Sequence, residues 1–561
     1  MPVKFVRLPV FLLALGCALP VGAAGTDAKL SHEYDQKISA SDISTDVRVL
    51  SSDAFAGRAP GTAGEQQTVN FLSAMLRQSG LQPGNGDSFF QAVPVISNTL
   101  DVAHSSMSAV TAHATQALKF GDDVVYSNTT TRTSTTIKDS PLVFVGYGIN
   151  APEQGWDDYA GLDVTGKTVV ILIGLPGGST GAPFLTGTPG VSYYSRSSYK
   201  FEEAARHGVA AALIVHNARE SGMEWDYIKS RYGGAQFQLR HEDDPEPDPP
   251  IVGWLSADAA KSLFAAAGMS LRDVRDAAGK RGFRAMPLGD AKLEAVIRSS
   301  VVAGESRNVI AKLPGAKYPD EAIVYSAHWD HFGTRLGMRG DNIFHGAIDN
   351  AMGVAGVLEI AAQFAAEDPK PDRSVIFFIP TLEEMGLLGS KYYTAHPVVP
   401  VANTVVDINF DVLVPVGVTS NLLVAGLGKS GLDEWVKRAA QKQDRVVVGD
   451  PPGMTDSFFR SDHLSFARAG VPVLYIRGGD KSRDPGVDGM ALWNAFGKRY
   501  HTPADKFDPR WDLGGIVQDM QLACDVGEAL AASREWPNWN EGTLFRAIRD
   551  RSRAGADAAR H

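Results

Sequence analysis

The sequence predicts an α/β protein with a mostly parallel central sheet flanked by helices. Two observations carry that reading. From about residue 305 the chain alternates strand, loop and helix, and its strands are near-continuous apolar runs, as in sheets covered on both faces. "EAIVYSA", "SVIFFIP", "TVVDINFD" and "VPVLYIRGG" read as strands, whereas "GVAGVLEIAAQFAAE", "LDEWVKRAAQKQ" and "GGIVQDMQLACDVGEALAA" read as helices.

Upstream, Val69, Leu72, Met75 and Leu76 recur at helical spacing and Gly80 suits the helix end; "GRAPGT" before them is a loop. Residues 96–135 are Ser/Thr-rich and read as strands and loops. A composition change follows. "PLVFVGYGI" and "GKTVVILIG" are short β runs bounded by glycine, and "YKFEEAARHGVAAALIVHN" is a helix leading into a strand. "HEDDPEPDPP", residues 241–250, reads as a solvated acidic loop. The Arg- and Ala-rich tail beyond 540 reads as a short helix or a frayed end.

The chain has 561 residues, 44% hydrophobic and 21% charged, with a formal net charge of −10. This is the range of an ordinary globular protein, and the acidic balance argues against nucleic-acid or anionic-membrane partners. Lys4 and Arg7, an apolar run from about Leu8 to Leu19 and the small residues Gly22, Ala23 and Ala24 predict a secretory signal over 1–24 and an exported, periplasmic or secreted protein. No other segment reads as transmembrane. The two cysteines are Cys17, inside that leader, and Cys524, so no internal disulfide is expected. A lipid anchor through Cys17 is the alternative, although Leu15 stands where such a signal usually has a small residue.

Polar residues collect where strands end. His328 and Asp330 follow the first strand, Glu383 and Glu384 the second, and Asp411 ends the third. Asp349 precedes a helix and His501 lies in a loop before the last one. In open α/β sheets ligands bind at the carboxyl ends of strands, so these residues can converge. Imidazoles with carboxylates suit zinc. A pair of zinc ions needs a bridging carboxylate, for which Asp349 is placed; His328 with Asp411 and Glu384 with His501 complete the two sites. Glu383 remains free as a general base. Taken singly, Asp349 could be a helix N-cap, His501 a loop histidine and the glutamate pair solvated charge. His331, His345 and His463 are left as supporting or surface residues, and Asp462 as a pocket residue.

"HWDHFG", "GAIDNAMGVAGVLEIA", "LEEMGLLGS", "NFD" and "YHTPADKF", in that order, resemble the co-catalytic di-zinc aminopeptidases of the aminopeptidase Y and bacterial leucyl aminopeptidase family. "GRAPGT" is also typical of that family, and Val412 stands where methionine is frequent. The resemblance implies a zinc exopeptidase fold with two Zn2+ ions on His328, Asp349, Glu384, Asp411 and His501. It further implies a zinc-bridged hydroxide with Glu383 as base, Asp330 orienting His328, and Tyr500 as an oxyanion donor. Segment 140–290 resembles an inserted protease-associated domain. The implied organisation is a leader over 1–24, the peptidase domain in two parts over 25–135 and 296–540, the insert over 136–295 and a tail over 541–561. The expected activity is removal of N-terminal residues from peptides with a free amino end. A carboxypeptidase using Arg477 and Arg460, a glutaminyl cyclase of the same fold and a non-catalytic receptor are the alternatives.

Overall fold

The side chains of the strand Tyr318–Ser326 divide the molecule into layers. Ile323 and Tyr325 belong to one apolar cluster, Ala322 and Val324 to another, and the neighbouring strand splits likewise into Val375, Phe377 and Ile379 against Ile376 and Phe378. Successive side chains point to opposite faces, so an unbroken apolar run means that both faces are covered. Each fully buried Leu, Ile or Phe here contributes roughly 1.5–3 kcal/mol. The computed structural model describes residues 38–177, 193–240, 242–335, 337–450 and 457–558, so the expected leader and Cys17 lie outside the described residues.

The middle of the first sheet is parallel, in the order Arg373–Ile379, Tyr318–Ser326, Thr404–Phe410 and Val473–Ile476. Flanking strands run antiparallel: Met286–Leu313 and then Phe90–Leu100 on one side, Asn421–Ala425 on the other. Helices Ala40–Leu50, Ala63–Gln78, Met352–Ala366 and Gly514–Ala532 send Val47, Leu72, Leu358 and Ile516 into the first cluster. Helices Leu388–Ala395 and His463–Arg468 send Tyr393 and Phe466 into the second. The fold is therefore the expected α/β arrangement, with its parallel part confined to the centre.

A second sheet contains Ser134–Phe144, Thr168–Leu172, Ala211–Val215, Ile251–Leu255 and Val124–Asn128. It also takes in Ser106–Val110 and Thr115–Ala117. Strands that the sequence reading set in 25–135 thus pair with those of the expected insert at 136–295. The strand Met286–Leu313 belongs to both sheets. Its first part pairs with Ser134–Phe144 and its last part with Arg373–Ile379, so the expected boundary at 295/296 falls inside one continuous strand. The tail carries the helix Arg546–Ala558, held by buried Arg549, which donates to the carbonyls of Val401 and Thr404. Among the described residues no helix is long and apolar enough to cross a membrane.

Candidate metal centre

Because the central strands are parallel, their carboxyl ends share one edge. His328 and Asp330 leave the end of Tyr318–Ser326, Glu383 and Glu384 that of Arg373–Ile379, and Asp411 that of Thr404–Phe410. Asp349 lies in the turn Ala347–Ala351 that starts the helix Met352–Ala366, and His501 follows the helix Gly489–Gly497.

The side chains converge. His328 Nε2 lies 3.4 Å from both Asp349 Oδ1 and Asp411 Oδ1. On the other side of Asp349, His501 Nε2 lies 3.1 Å from Asp349 Oδ2 and 3.2 Å from Glu384 Oε2. Two buried groups, His328–Asp349–Asp411 and His331–Asp349–Glu384, each bring their ligand atoms within 4.8 Å of one another, and Asp349 is common to both. Asp349 Oδ2 and His501 Nε2 face each other at 3.1 Å without forming a directed hydrogen bond, and both are shielded from solvent. Buried polar atoms are normally satisfied. The donor set, two oxygens of a shared carboxylate with an imidazole and a further carboxylate on each side, fits divalent zinc.

The electrostatics agree. Burial, followed by the charge of Asp349, pushes the Glu384 carboxyl well above its ordinary range. Burial does the same to Glu383, with Asp411 and Glu384 adding to it. Burial works in the same direction on Asp349, but the imidazoles of His328 and His501 against its two oxygens hold that group well below the usual carboxylate range. So much negative charge in one buried place calls for a cation.

Glu383 stands beside the cluster. Its Oε2 lies 3.9 Å from His328 Nε2, and its backbone N–H donates to Asp330 Oδ1 at 3.1 Å. Asp330 is also 3.6 Å from His328 Nδ1, so one carboxylate steadies both the histidine and the glutamate pair. The ring of Tyr500 stacks on His501 with centroids 3.7 Å apart, and the residue is half exposed.

Two supports were missed in the sequence. Arg58, in "GRAPGT", is buried and donates to the carbonyls of Leu50, Trp329, His345 and Gly346 at 2.7–2.8 Å. It ties together the loops on either side of His328 and Asp349, and burial lowers its pKa to about 10. Asp505, in "YHTPADKF", accepts the backbone N–H groups of Ile348 and Asp349, and burial raises it to about 6. Gly346 has φ +56°, and a Cβ there would come within 2.3 Å of the Asp349 carbonyl oxygen. The motifs quoted in the sequence contained both polar residues, but their partners are backbone atoms, which carry no sequence signal.

His331 takes the supporting place of its two expected ones, not the surface one. It is fully buried, its Nδ1 lies 2.6 Å from Glu384 Oε1, and burial lowers its pKa to about 4. His345 and His463 are structural: their rings bond the carbonyls of Ser51 and Phe458. Asp462 is fully buried, so it does not line an open pocket; burial raises it to about 7. Arg477 lies 3.4 Å from Asp450 Oδ1 and packs over the Trp493 ring, and Arg460 is exposed. The acidic loop is docked rather than solvated. Asp244 pairs with Lys391 at 2.5 Å, Glu246 pairs with Arg206 at 3.0 Å and also with Arg468, and burial raises Asp248 to about 7.

Residues 308–524 match the family model described as Peptidase family M28. Over 99 residues the chain is 37% identical to the vacuolar membrane protease of Candida glabrata, covering 18% of this chain and 9% of that protein. It is 27% identical over 208 residues to leupeptin-inactivating enzyme 1 of Streptomyces exfoliatus, covering 35% of this chain and 42% of the relative. The chain thus spans less than half of either relative. An aminopeptidase from Aneurinibacillus sp. strain AM-1 superposes with a TM-score of 0.47 at 19% identity, over 91% of this chain and 96% of that one.

Proposed function

We propose, for a chain whose residues 308–524 match the model of peptidase family M28, that it is an exported metallo-aminopeptidase that removes N-terminal residues from peptides. The observation that carries this reading is the buried Asp349 carboxylate, with His328 and Asp411 gathered at one of its oxygens and His501 and Glu384 at the other. His328, Asp349 and Asp411 would hold one zinc ion; Asp349, Glu384 and His501 would hold the second, with His331 buttressing Glu384. Bound zinc supplies a Lewis acid that polarises a carbonyl and lowers the pKa of water.

The remaining steps belong to the chain. Asp330 holds His328 and the Glu383 backbone in place. Glu383, beside the cluster and outside both ligand groups, takes a proton from the attacking water and returns it to the leaving amine. Tyr500 OH donates to the oxygen that becomes negative in the transition state. The leader over 1–24 supports export, and the second-sheet region is read as a protease-associated module that shapes access. The pairing of Arg477 with Asp450 leaves that guanidinium less suited to a substrate carboxylate, which disfavours the carboxypeptidase alternative.

The test is release of 4-nitroaniline from aminoacyl-4-nitroanilides, with and without an N-acetyl block, before and after chelation. Cleavage of free substrates only, lost on chelation and regained with zinc, is expected. Cleavage of acetylated substrates, or a zinc-loaded protein inert to the whole panel, overturns the reading.

A further inference from the structure

The second-sheet region returns one strand to the first sheet. Gln236–Leu239 pairs antiparallel with Phe90–Leu100, and Phe237 and Leu239 pack with Leu382, Met385 and Leu388. Those three residues bracket Glu383 and Glu384, so the glutamate loop rests on this strand. Just before the strand, the helix Trp225–Tyr232 brings Arg231 to the same place. Gln236 Nε2 donates to the Arg231 carbonyl at 2.7 Å and fixes the turn between them.

The Arg231 side chain donates to the backbone carbonyl of Glu384 at 3.5 Å. Of the five N–H donors of a guanidinium, that bond uses one. Among the described residues no carboxylate pairs with Arg231, although Lys229 on the same helix pairs with Asp226 at 3.0 Å. The residue is exposed. A guanidinium with free donors therefore stands one residue's reach from a metal-ligand carboxylate, at the rim of an otherwise acidic site.

We infer that Arg231 binds the C-terminal carboxylate of dipeptides, so that the preferred substrates are dipeptides with a free α-carboxylate. The inference rests on the aminopeptidase reading. In a dipeptide the carboxylate lies one residue beyond the scissile carbonyl, about 3.8 Å between Cα atoms. The Glu384 carbonyl and its own carboxylate are separated on the same scale. The planar fork of an arginine matches a carboxylate in bidentate fashion, which a lysine cannot reproduce.

The experiment measures kcat and KM of zinc-loaded wild type, Arg231→Ala and Arg231→Lys for Leu-Gly, Leu-Gly-amide and N-acetyl-Leu-Gly. Wild type is expected to favour the free acid over the amide in kcat/KM by about tenfold or more, the scale of a hydrogen bond to a charged group. Arg231→Ala should bring that ratio towards one, chiefly through KM, and Arg231→Lys should keep part of it. A wild-type ratio near one, or a ratio unchanged in Arg231→Ala, overturns the inference while leaving the aminopeptidase reading intact. Cleavage of N-acetyl-Leu-Gly at a rate comparable to Leu-Gly overturns the aminopeptidase reading instead, and the inference with it.

Discussion

The two sheets bury charge in opposite ways. In the second sheet region Asp158 is almost wholly buried, yet it accepts the backbone N–H groups of Tyr147 and Ile149 and the indole N–H of Trp156. Fully buried Lys200 donates to the carbonyls of Tyr147, Gly174 and Tyr194. That polar interior closes on itself, and among the described residues no metal-capable cluster lies there. At the edge of the first sheet Asp349 Oδ2, His501 Nε2 and His331 Nε2 remain without a hydrogen bond, and two carboxyl groups are pushed up by burial and by neighbouring carboxylates. Buried charge alone therefore does not mark a reactive site; several such groups from different elements, gathered around one shared carboxylate, do.

The largest expected effect sharpens the active side of this contrast. Glu383 lies outside both ligand groups, so Glu383→Gln should retain zinc while turnover falls by about 10²–10⁴-fold, the usual contribution of a general base. Metal analysis and kcat on the same sample decide it. Loss of zinc in the variant would make Glu383 a ligand, and substantial remaining turnover would remove it as the base.

The next effect concerns what holds the gathered charges together. Arg58→Lys keeps a cation but cannot reach the four carbonyls that the guanidinium bonds. Each buried acceptor left without a donor costs about 1–3 kcal/mol. The variant should lose several degrees of melting temperature and bind zinc more weakly, read by calorimetry and by competition with a chromophoric chelator. A variant that melts like wild type would show that these loops need no tie.

The contrast also explains which features were legible in the sequence. The central strands were readable because burial on both faces writes itself as unbroken apolar runs such as "IVY" and "VIFF". The converging ligands were readable because parallel strands put their ends together. Three things were not. The strand Met286–Leu313 serves two sheets, and its alternating pattern does not reveal a change of partner halfway along. His331 is one residue beyond Asp330, and only the bend of the loop decides that it turns inward to Glu384. The acidic loop has the composition of a solvated surface; the cations that neutralise it, Arg206, Lys391 and Arg468, come from other segments.

The smallest effect tests the closed polar interior by pH. Burial, opposed by the bonds to Asp158, raises its carboxyl from 3.8 to about 7. A raised folded-state pKa means that the folded protein holds a proton that the unfolded chain releases. The associated stability is present below about pH 4 and is lost as pH climbs through about 7, by at most about 1.4 kcal/mol per pH unit. Asp158→Asn removes the titration but turns one of the accepting oxygens into a donor, so it costs a hydrogen bond at every pH. The variant should accordingly be less stable than wild type at pH 4, and the difference should shrink steadily between pH 4 and pH 7. Melting curves of both proteins across that range measure it, because groups other than Lys200, whose own titration Asp158 shifts, behave alike in the two and cancel. A difference independent of pH would mean that Asp158 is ionised in the fold throughout, with Lys200 as its counter-charge, and the second region would then bury an ion pair rather than a neutral acid.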